Sequence, residues 1–240
     1  MTDYRIAGFL SLFLLTVTVQ GCDTMIFELG NGEQAIRSES LDTFHEIFIN
    51  GNYDVFLEKG AMPKIVIKTD ENLTDLITVD SRNGTLAISN QKRIKGSDGI
   101  KIFITYVDID RIVCGGASNI FSTSNIEEED LELSMSGAGL IEIDLNVERL
   151  KVRLSGAGLI KLEGQADKEE ISMTGAGSLE AFELESRECE ISISGIGGAE
   201  VNVKESLIAK ISGMGGIQFI GSPKEIRREV SGIGKIREAR

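Results

Sequence analysis

The chain has 240 residues, of which 41% are apolar, and a formal net charge of −13 at pH 7, so it can bury a core of useful size. The negative charge argues against nucleic acid and against electrostatic docking on anionic membranes, but leaves cationic partners and uncharged polymers open. Glycine is abundant at 27 residues, proline occurs twice and tryptophan is absent, which is typical of thin β-coils packed by aliphatic side chains.

The N-terminus carries the features of an export signal. An apolar run from Ile6 to Val19 is too short to span a bilayer unaided but has the length of a signal-peptide core. It ends in Val19-Gln20-Gly21-Cys22, which resembles a bacterial lipobox, where a small residue precedes the acylated cysteine. We therefore predict a lipoprotein signal peptide over residues 1–21, lipid attachment at Cys22, and a polar tether over residues 22–40.

Residues 41–112 form a second segment, with alternating β-strand patterns. One pair of such runs flanks Gly51-Asn52 and another flanks Arg82-Asn83-Gly84, which predicts two β-hairpins. We predict that this N-terminal β region caps the open end of the structure that follows, because an uncovered first coil would expose unpaired backbone groups.

Residues 113–240 contain a repeat that begins with a glycine in every copy. The intervals between these anchor glycines are 21, 19, 19, 20, 18 and 19 residues. The seven anchors are Gly116, Gly137, Gly156, Gly175, Gly195, Gly213 and Gly232. A period this short predicts a solenoid.

Each copy also has a fixed apolar pattern around its anchor. Apolar residues stand two positions before and four positions after every anchor, and four positions before all anchors except Gly232. This alternation predicts half-buried strands on both sides of a glycine corner, stacked on the next coil at ~4.8 Å. We expect the glycines to be needed for positive φ and for close stacking of corners. The sequence therefore predicts an all-β fold, a right-handed parallel β-helix with coils of about 19–20 residues.

The order of these motifs resembles a known family. The residues that carry the resemblance are Leu41 to Ile47, Gly51 to Val55, Asn83 to Leu86 and the repeated Ser-Gly-Ala-Gly corners. In these motifs and their order, the sequence of residues 41–236 resembles the auto-transporter adhesin head GIN domain family. The resemblance implies a right-handed β-helix that is secreted or lipid-anchored in a Gram-negative bacterium, here expected at the outer membrane on its periplasmic or surface side. It implies no catalytic or ligand-binding residue.

The two cysteines beyond the predicted anchor are Cys114 and Cys189. Cys114 belongs to the coil anchored at Gly116 and Cys189 to the coil anchored at Gly195, and three anchors intervene between those two, so stacked coils would hold the cysteines far beyond the Cα separation of ~7 Å that a disulfide permits. Both fall in apolar positions. We predict two small, buried, unpaired hydrophobic residues.

One outward column of the repeat carries charges that could support chemistry. It contains Glu142, Lys161, Glu180 and Glu200. Glu180 and Glu200 on adjacent coils could form the carboxylate pair of a polysaccharide-cleaving enzyme. The favoured interpretation is a solvated face in which Lys161 lies between Glu142 and Glu180.

Two further polar features are weak candidates for a site. The run Glu127 to Asp130 could attract a cation, but it lacks the alternating spacing of calcium loops, so a solvated loop is predicted. His45 is the sole histidine, which excludes a Ser-His-Asp triad elsewhere and a multi-histidine metal site. We expect His45 to be exposed, and we predict no catalytic residue, cofactor or metal ligand.

Three hypotheses for function follow. The first is a lipid-anchored, non-catalytic, adhesin-like module of the cell envelope that binds an extracellular polysaccharide or envelope protein along its solenoid face. The second is an envelope scaffold that associates with copies of itself. The third is a polysaccharide-cleaving enzyme that uses the Glu180 and Glu200 pair or the Glu127 to Asp130 run.

Overall fold

The computed structural model describes residues 27–239. The predicted signal peptide and Cys22 lie outside the described residues. Within them, no helix has the length and apolar character needed to cross a membrane.

The described chain consists almost entirely of β-strands, with one single-turn helix. The N-terminal elements are β1 (Glu28–Leu29), β2 (Gln34–Ser40), β3 (Phe44–Asn50), β4 (Asp54–Lys59), β5 (Lys64–Asp70), α1 (Glu71–Thr74), β6 (Ile77–Arg82), β7 (Gly84–Asn90), β8 (Ile94–Lys95) and β9 (Lys101–Tyr106). The C-terminal elements are β10 (Arg111–Cys114), β11 (Ala117–Ser122), β12 (Ile126–Met135), β13 (Ala138–Leu154), β14 (Ala157–Met173), β15 (Ala176–Ile193), β16 (Ile196–Ile211), β17 (Met214–Ile220), β18 (Glu225–Val230) and β19 (Ile233–Glu238).

The C-terminal elements form the predicted β-solenoid, with coils stacked in parallel register. β13 pairs with β14 along almost its whole length, so that Ile141 lies opposite Ile160 and Val152 opposite Ile171. The apolar positions predicted from the repeat are buried in every coil from Gly116 to Gly213. The core is therefore a set of aliphatic ladders running along the solenoid axis. It also contains Cys114 and Cys189, which are free and buried, as predicted.

The solenoid begins earlier than residue 113. β3 and β4 pair in parallel with β10 and β11, and on their other side with β7 and β9. The predicted hairpin at Gly51 is therefore wrong, because β3 and β4 pair with neighbouring coils and not with each other. Gly51 is instead a corner like the seven anchors: its backbone is the first obstacle that a Cβ on Gly116 would meet.

The cap consists of antiparallel strands added to the first coil. β5 pairs with β9 on one side and β2 on the other, and β6 pairs with β7. The predicted hairpin between β6 and β7 is confirmed, and Asn83 and Gly84 at its turn both have positive φ, 54° and 79°. Residues 34–40, expected to belong to the tether, form strand β2, because their backbone pairs with β5.

The anchor glycines are required by close stacking alone. A Cβ on Gly156 would lie far closer to the Gly137 carbonyl oxygen than the 3.0 Å below which real Cβ contacts are essentially never found, and each later anchor meets the preceding one in the same way. None of the seven anchors has a positive φ. The expectation of positive φ was therefore wrong for the anchors, although Gly139 and Gly197, each two residues after an anchor, have φ of 128° and 154°. The expectation of close stacking was right.

Candidate functional site

The outer surface of the repeat carries a groove in its last four coils. The groove has a volume of about 570 Å³ and runs across the strands that follow the anchors. We call it the C-terminal groove. Its lining comprises Ser178, Leu179, Glu180, Gly198, Ala199, Glu200, Gly215, Gly216, Gln218, Ile233, Gly234, Lys235 and Arg237.

An exposed apolar ridge borders this groove. The residue after each anchor points outward, and it is alanine in the four earlier coils but Ile196, Met214 and Ile233 in the last three. These three side chains lie in register on adjacent strands and are 57%, 47% and 74% exposed. The fold thus holds three large apolar side chains in a row in solvent, where burial of each by a partner would be favourable.

The floor of the groove consists of backbone at Gly198 and Gly216. A Cβ at either position would have its nearest neighbour at 3.7 Å, an ordinary contact, so packing does not require glycine there. The equivalent residues in two earlier coils are Leu140 and Leu159. The loss of the side chain at these positions is therefore what opens the groove.

The far wall of the groove is polar and carries the predicted carboxylate pair. Glu180 and Glu200 are register partners on neighbouring strands, so the structure does bring them together, at a strand spacing of ~4.8 Å. Among the described residues neither forms an ion pair. Gln218 and Arg237 continue the same wall and are joined by a hydrogen bond of 3.2 Å.

The earlier part of the same column is internally neutralised. The Lys161 ammonium lies 2.8 Å from a Glu142 carboxylate oxygen and 2.9 Å from one of Glu163. The hydrogen bond that Lys161 donates to Glu142, and then the one that it donates to Glu163, raises the pKa of Lys161. The interpretation that Lys161 lies between Glu142 and Glu180 is confirmed by the strand register. Within this column, Glu180 and Glu200 are therefore the described carboxylates without an ion pair, and both line the C-terminal groove.

Comparison with known proteins gives the same fold. A family model described as "Putative auto-transporter adhesin, head GIN domain" matches residues 43–223. The chain belongs to this family. The family description indicates a bacterial protein of the cell envelope or the extracellular space. No curated protein shows significant similarity to the chain.

Several solved structures share the head GIN architecture of this chain. A "putative adhesin" from Bacteroides fragilis is 26% identical, with a TM-score of 0.84 over 88% of this chain and 100% of that one. A "putative lipid binding protein" from Parabacteroides distasonis is 22% identical, with a TM-score of 0.71 over 90% and 100% of the two chains. A "putative adhesin" from Parabacteroides merdae, 22% identical with a TM-score of 0.66, covers 89% and 99%.

The acidic run Glu127 to Asp130 of this head GIN domain is a strand and not the predicted loop, because residues 126–135 pair with β13. The Lys59 ammonium lies 3.2 Å from Glu128, and Asp130 pairs with Arg149. The strand borders a second groove, of about 770 Å³, whose other acidic side chains include Glu148, Asp167 and Glu185. Ion pairs to neighbouring coils thus hold two of the four carboxylates of the run.

The motifs of the sequence do not single out Glu169, which the fold buries in the solenoid core. Glu169 is 1% exposed, and neither of its carboxylate oxygens has a hydrogen-bond partner of good geometry among the described residues. Burial raises its pKa to about 7, against smaller opposite effects from Cys189 and Ser186. The sequence signal was available, because Glu169 lies opposite Leu150 in a column of inward-facing residues.

Proposed function

We propose that this head GIN domain is a non-catalytic binding module of the bacterial cell envelope that captures an extracellular polymer in the C-terminal groove. The observation that carries the proposal is the glycine floor: Gly198 and Gly216 are not required by packing, yet they remove the side chains that would fill the groove. Membership of an adhesin family supports the same function class.

The chemistry of the groove favours an uncharged polymer with apolar and hydroxyl surfaces, such as a polysaccharide. The ridge of Ile196, Met214 and Ile233 offers apolar contact, while Glu180 and Glu200 can accept hydrogen bonds from hydroxyl groups. A long, regular surface of this kind suits a repeating ligand. The carboxylate pair by itself does not favour catalysis, because Glu180 is exposed and the groove is open to solvent.

Attachment through Cys22 is part of the proposal. A diacylated N-terminal cysteine would keep the module at an envelope membrane, with β2 and the cap nearest the anchor. Mass spectrometry of the mature protein is expected to find an acylated N-terminal Cys22. Cleavage elsewhere, or an unmodified cysteine, would contradict the anchor and leave the groove proposal intact.

The test of the groove is a binding screen with matched variants. The full chain is screened against polysaccharides and envelope extracts, with product analysis on every ligand that binds. Gly198→Leu and Gly216→Leu fill the floor and are each expected to weaken binding at least about tenfold, or ~1.4 kcal/mol. Gly115→Leu is the control, because a Cβ there also has no neighbour closer than 3.8 Å but lies outside the groove.

The outcomes separate the alternatives. Binding that survives both groove variants would contradict the site. Cleavage of a bound polysaccharide that is lost in Glu180→Gln would establish the enzyme instead.

A self-associating scaffold is the second candidate, and one observation favours it. Within residues 27–239, β18 and β19 pair with a neighbouring coil on one side only, and Ile226 and Val230 are 42% and 48% exposed at that edge. Such an edge can pair with another chain. Concentration-dependent association in the absence of any ligand would support this function.

A further inference from the structure

The first solenoid strand, β3, has an interruption in its alternation. Phe44 and Ile47 are buried, while His45 is exposed and Glu46 half-buried between them. The register with β7 pairs Phe44 with Gly84, skips one residue and resumes at Glu46, so His45 is the extra residue of a β-bulge. In a regular strand His45 and Glu46 would point to opposite faces. The bulge places both on the outer face.

A third side chain joins them from the next coil. Asp110 directly precedes β10, and its backbone N–H donates a hydrogen bond of 2.9 Å to the His45 carbonyl oxygen. One potential ligand atom from each of His45, Glu46 and Asp110 lies within 4.8 Å of the other two. Parallel stacking of two coils thus creates a cluster of one imidazole and two carboxylates.

The surroundings hold these side chains while leaving them accessible. The His45 ring packs over Gly84, where a Cβ would collide with it. The Thr85 hydroxyl lies 3.4 Å from a Glu46 carboxylate oxygen and donates to it. The Arg111 guanidinium is 3.9 Å from Glu46 but 3.7 Å from Glu132. It can therefore remain with Glu132 when Glu46 turns toward a cation.

We propose that His45, Glu46 and Asp110 form a three-ligand site for a divalent transition metal ion such as Zn²⁺. An imidazole with carboxylates suits zinc, cobalt or nickel, whereas calcium and magnesium take oxygen ligands. Ligands at 2.0–2.2 Å from one ion are ~3 to 3.5 Å apart, so small rotations of the two exposed side chains and the half-buried Glu46 would close the site. Three protein ligands leave a position open for water or for an oxygen atom of a partner.

The proposal is independent of the C-terminal groove. β3 is separated from the coil anchored at Gly175, the first coil of the groove, by four coil steps, or ~19 Å along the axis. Loss of polymer binding would therefore leave the metal site untouched, and the reverse also holds.

The sole histidine of the chain makes the experiment direct. The full chain, carrying no polyhistidine tag, is titrated with ZnCl₂ while the imidazole signals are followed by ¹H–¹⁵N NMR, and calorimetry gives the stoichiometry. We expect one ion per chain and a shift of the His45 ring nitrogen signals. His45→Gln, Glu46→Gln and Asp110→Asn are each expected to weaken binding at least about tenfold.

The matched control is Asp108→Asn, which removes the same charge two residues away and outside the cluster. It should bind Zn²⁺ like the unmodified chain. Circular dichroism confirms that each variant is folded. An unshifted His45 signal at saturating Zn²⁺ would overturn the proposal, as would equal zinc affinity in the unmodified chain and in folded Asp110→Asn.

Discussion

Glu169 breaks an apolar column in the middle of the solenoid. Its neighbours in register are Leu150 on one coil and Cys189 on the next, and the following coil places Leu207 there. The contrast with Asp70 is informative, because that buried carboxylate accepts hydrogen bonds from the Gly32 N–H and from the Ser97 N–H and hydroxyl. A buried carboxylate without such partners is costly in its charged form.

Because the charged form of Glu169 is costly to bury, the stability of the folded chain should fall as pH rises. Burial raises the pKa of Glu169 from 4.5 to about 7, so the folded chain favours the protonated carboxyl. Its contribution to stability is fully present below pH 4.5 and is lost as pH rises through about 7. The loss is on the order of 3 kcal/mol, since one pKa unit corresponds to ~1.4 kcal/mol.

We therefore expect Glu169→Leu to be more stable than the unmodified chain at pH 8 by roughly 2 to 3 kcal/mol. At pH 4 the difference should be smaller. Urea denaturation at both pH values measures it, with Glu170→Gln, a neighbouring exposed carboxylate, as the control. If the free energy of unfolding of Glu169→Leu exceeded that of the unmodified chain by no more at pH 8 than at pH 4, the charged Glu169 carboxylate would not be destabilising.

At the scale of a single coil, substitution of a corner glycine and of a groove glycine by alanine should have different effects on stability. Gly156→Ala should cost about 1 to 3 kcal/mol, because its Cβ would overlap the Gly137 carbonyl oxygen and push two coils apart. Gly198→Ala, three positions after the anchor two coils further on, should change stability by less than ~0.5 kcal/mol or increase it.

Thermal and chemical denaturation of the two variants measure this difference directly. Lys161→Gln is a useful third variant, since an exposed ion pair contributes only ~0 to 1 kcal/mol. If Gly156→Ala and Gly198→Ala had the same melting temperature, the steric explanation for the corner glycines would be wrong.

At the scale of the whole molecule, the two ends of the solenoid are treated differently. The N-terminal end is covered by β5, β2 and the β6–β7 hairpin, whereas every side chain of β18 at the other end is exposed. Because each coil is stabilised by the coils next to it, the last coil, which has a neighbouring coil on one side, has about half of the inter-coil contacts of an inner coil.

We expect this asymmetry in amide hydrogen exchange. The amides of β18 and β19 should exchange by local opening at low free energy, while those of β13, β14 and β15 should approach the global stability. The measurement is made across a dilution series. Equal protection of β18 and β14 at the lowest concentration would contradict an open end, and protection that appears only at high concentration would reveal pairing with a second copy.

The sequence by itself determined the solenoid, because its physical cause is local and repeated. Corner glycines at intervals of 18 to 21 residues, with fixed apolar positions around them, leave no other way to bury the aliphatic side chains. The same pattern is present around Gly51, with Ile47, Ile49 and Val55 in the inward positions. A single isolated copy, 65 residues before the next, was indistinguishable from a hairpin by local pattern alone.

Features that depend on neighbours distant in sequence became visible in the folded chain. Stacking leaves no room for a Cβ at the anchor Gly156 but leaves room at Gly198, three positions after the anchor Gly195. It also turns the acidic run at Glu127 into a paired strand, and a bulge brings His45 and Glu46 beside Asp110. The physical reason is that a repeat fixes which residues face inward, whereas the groove and the cluster arise where adjacent coils differ.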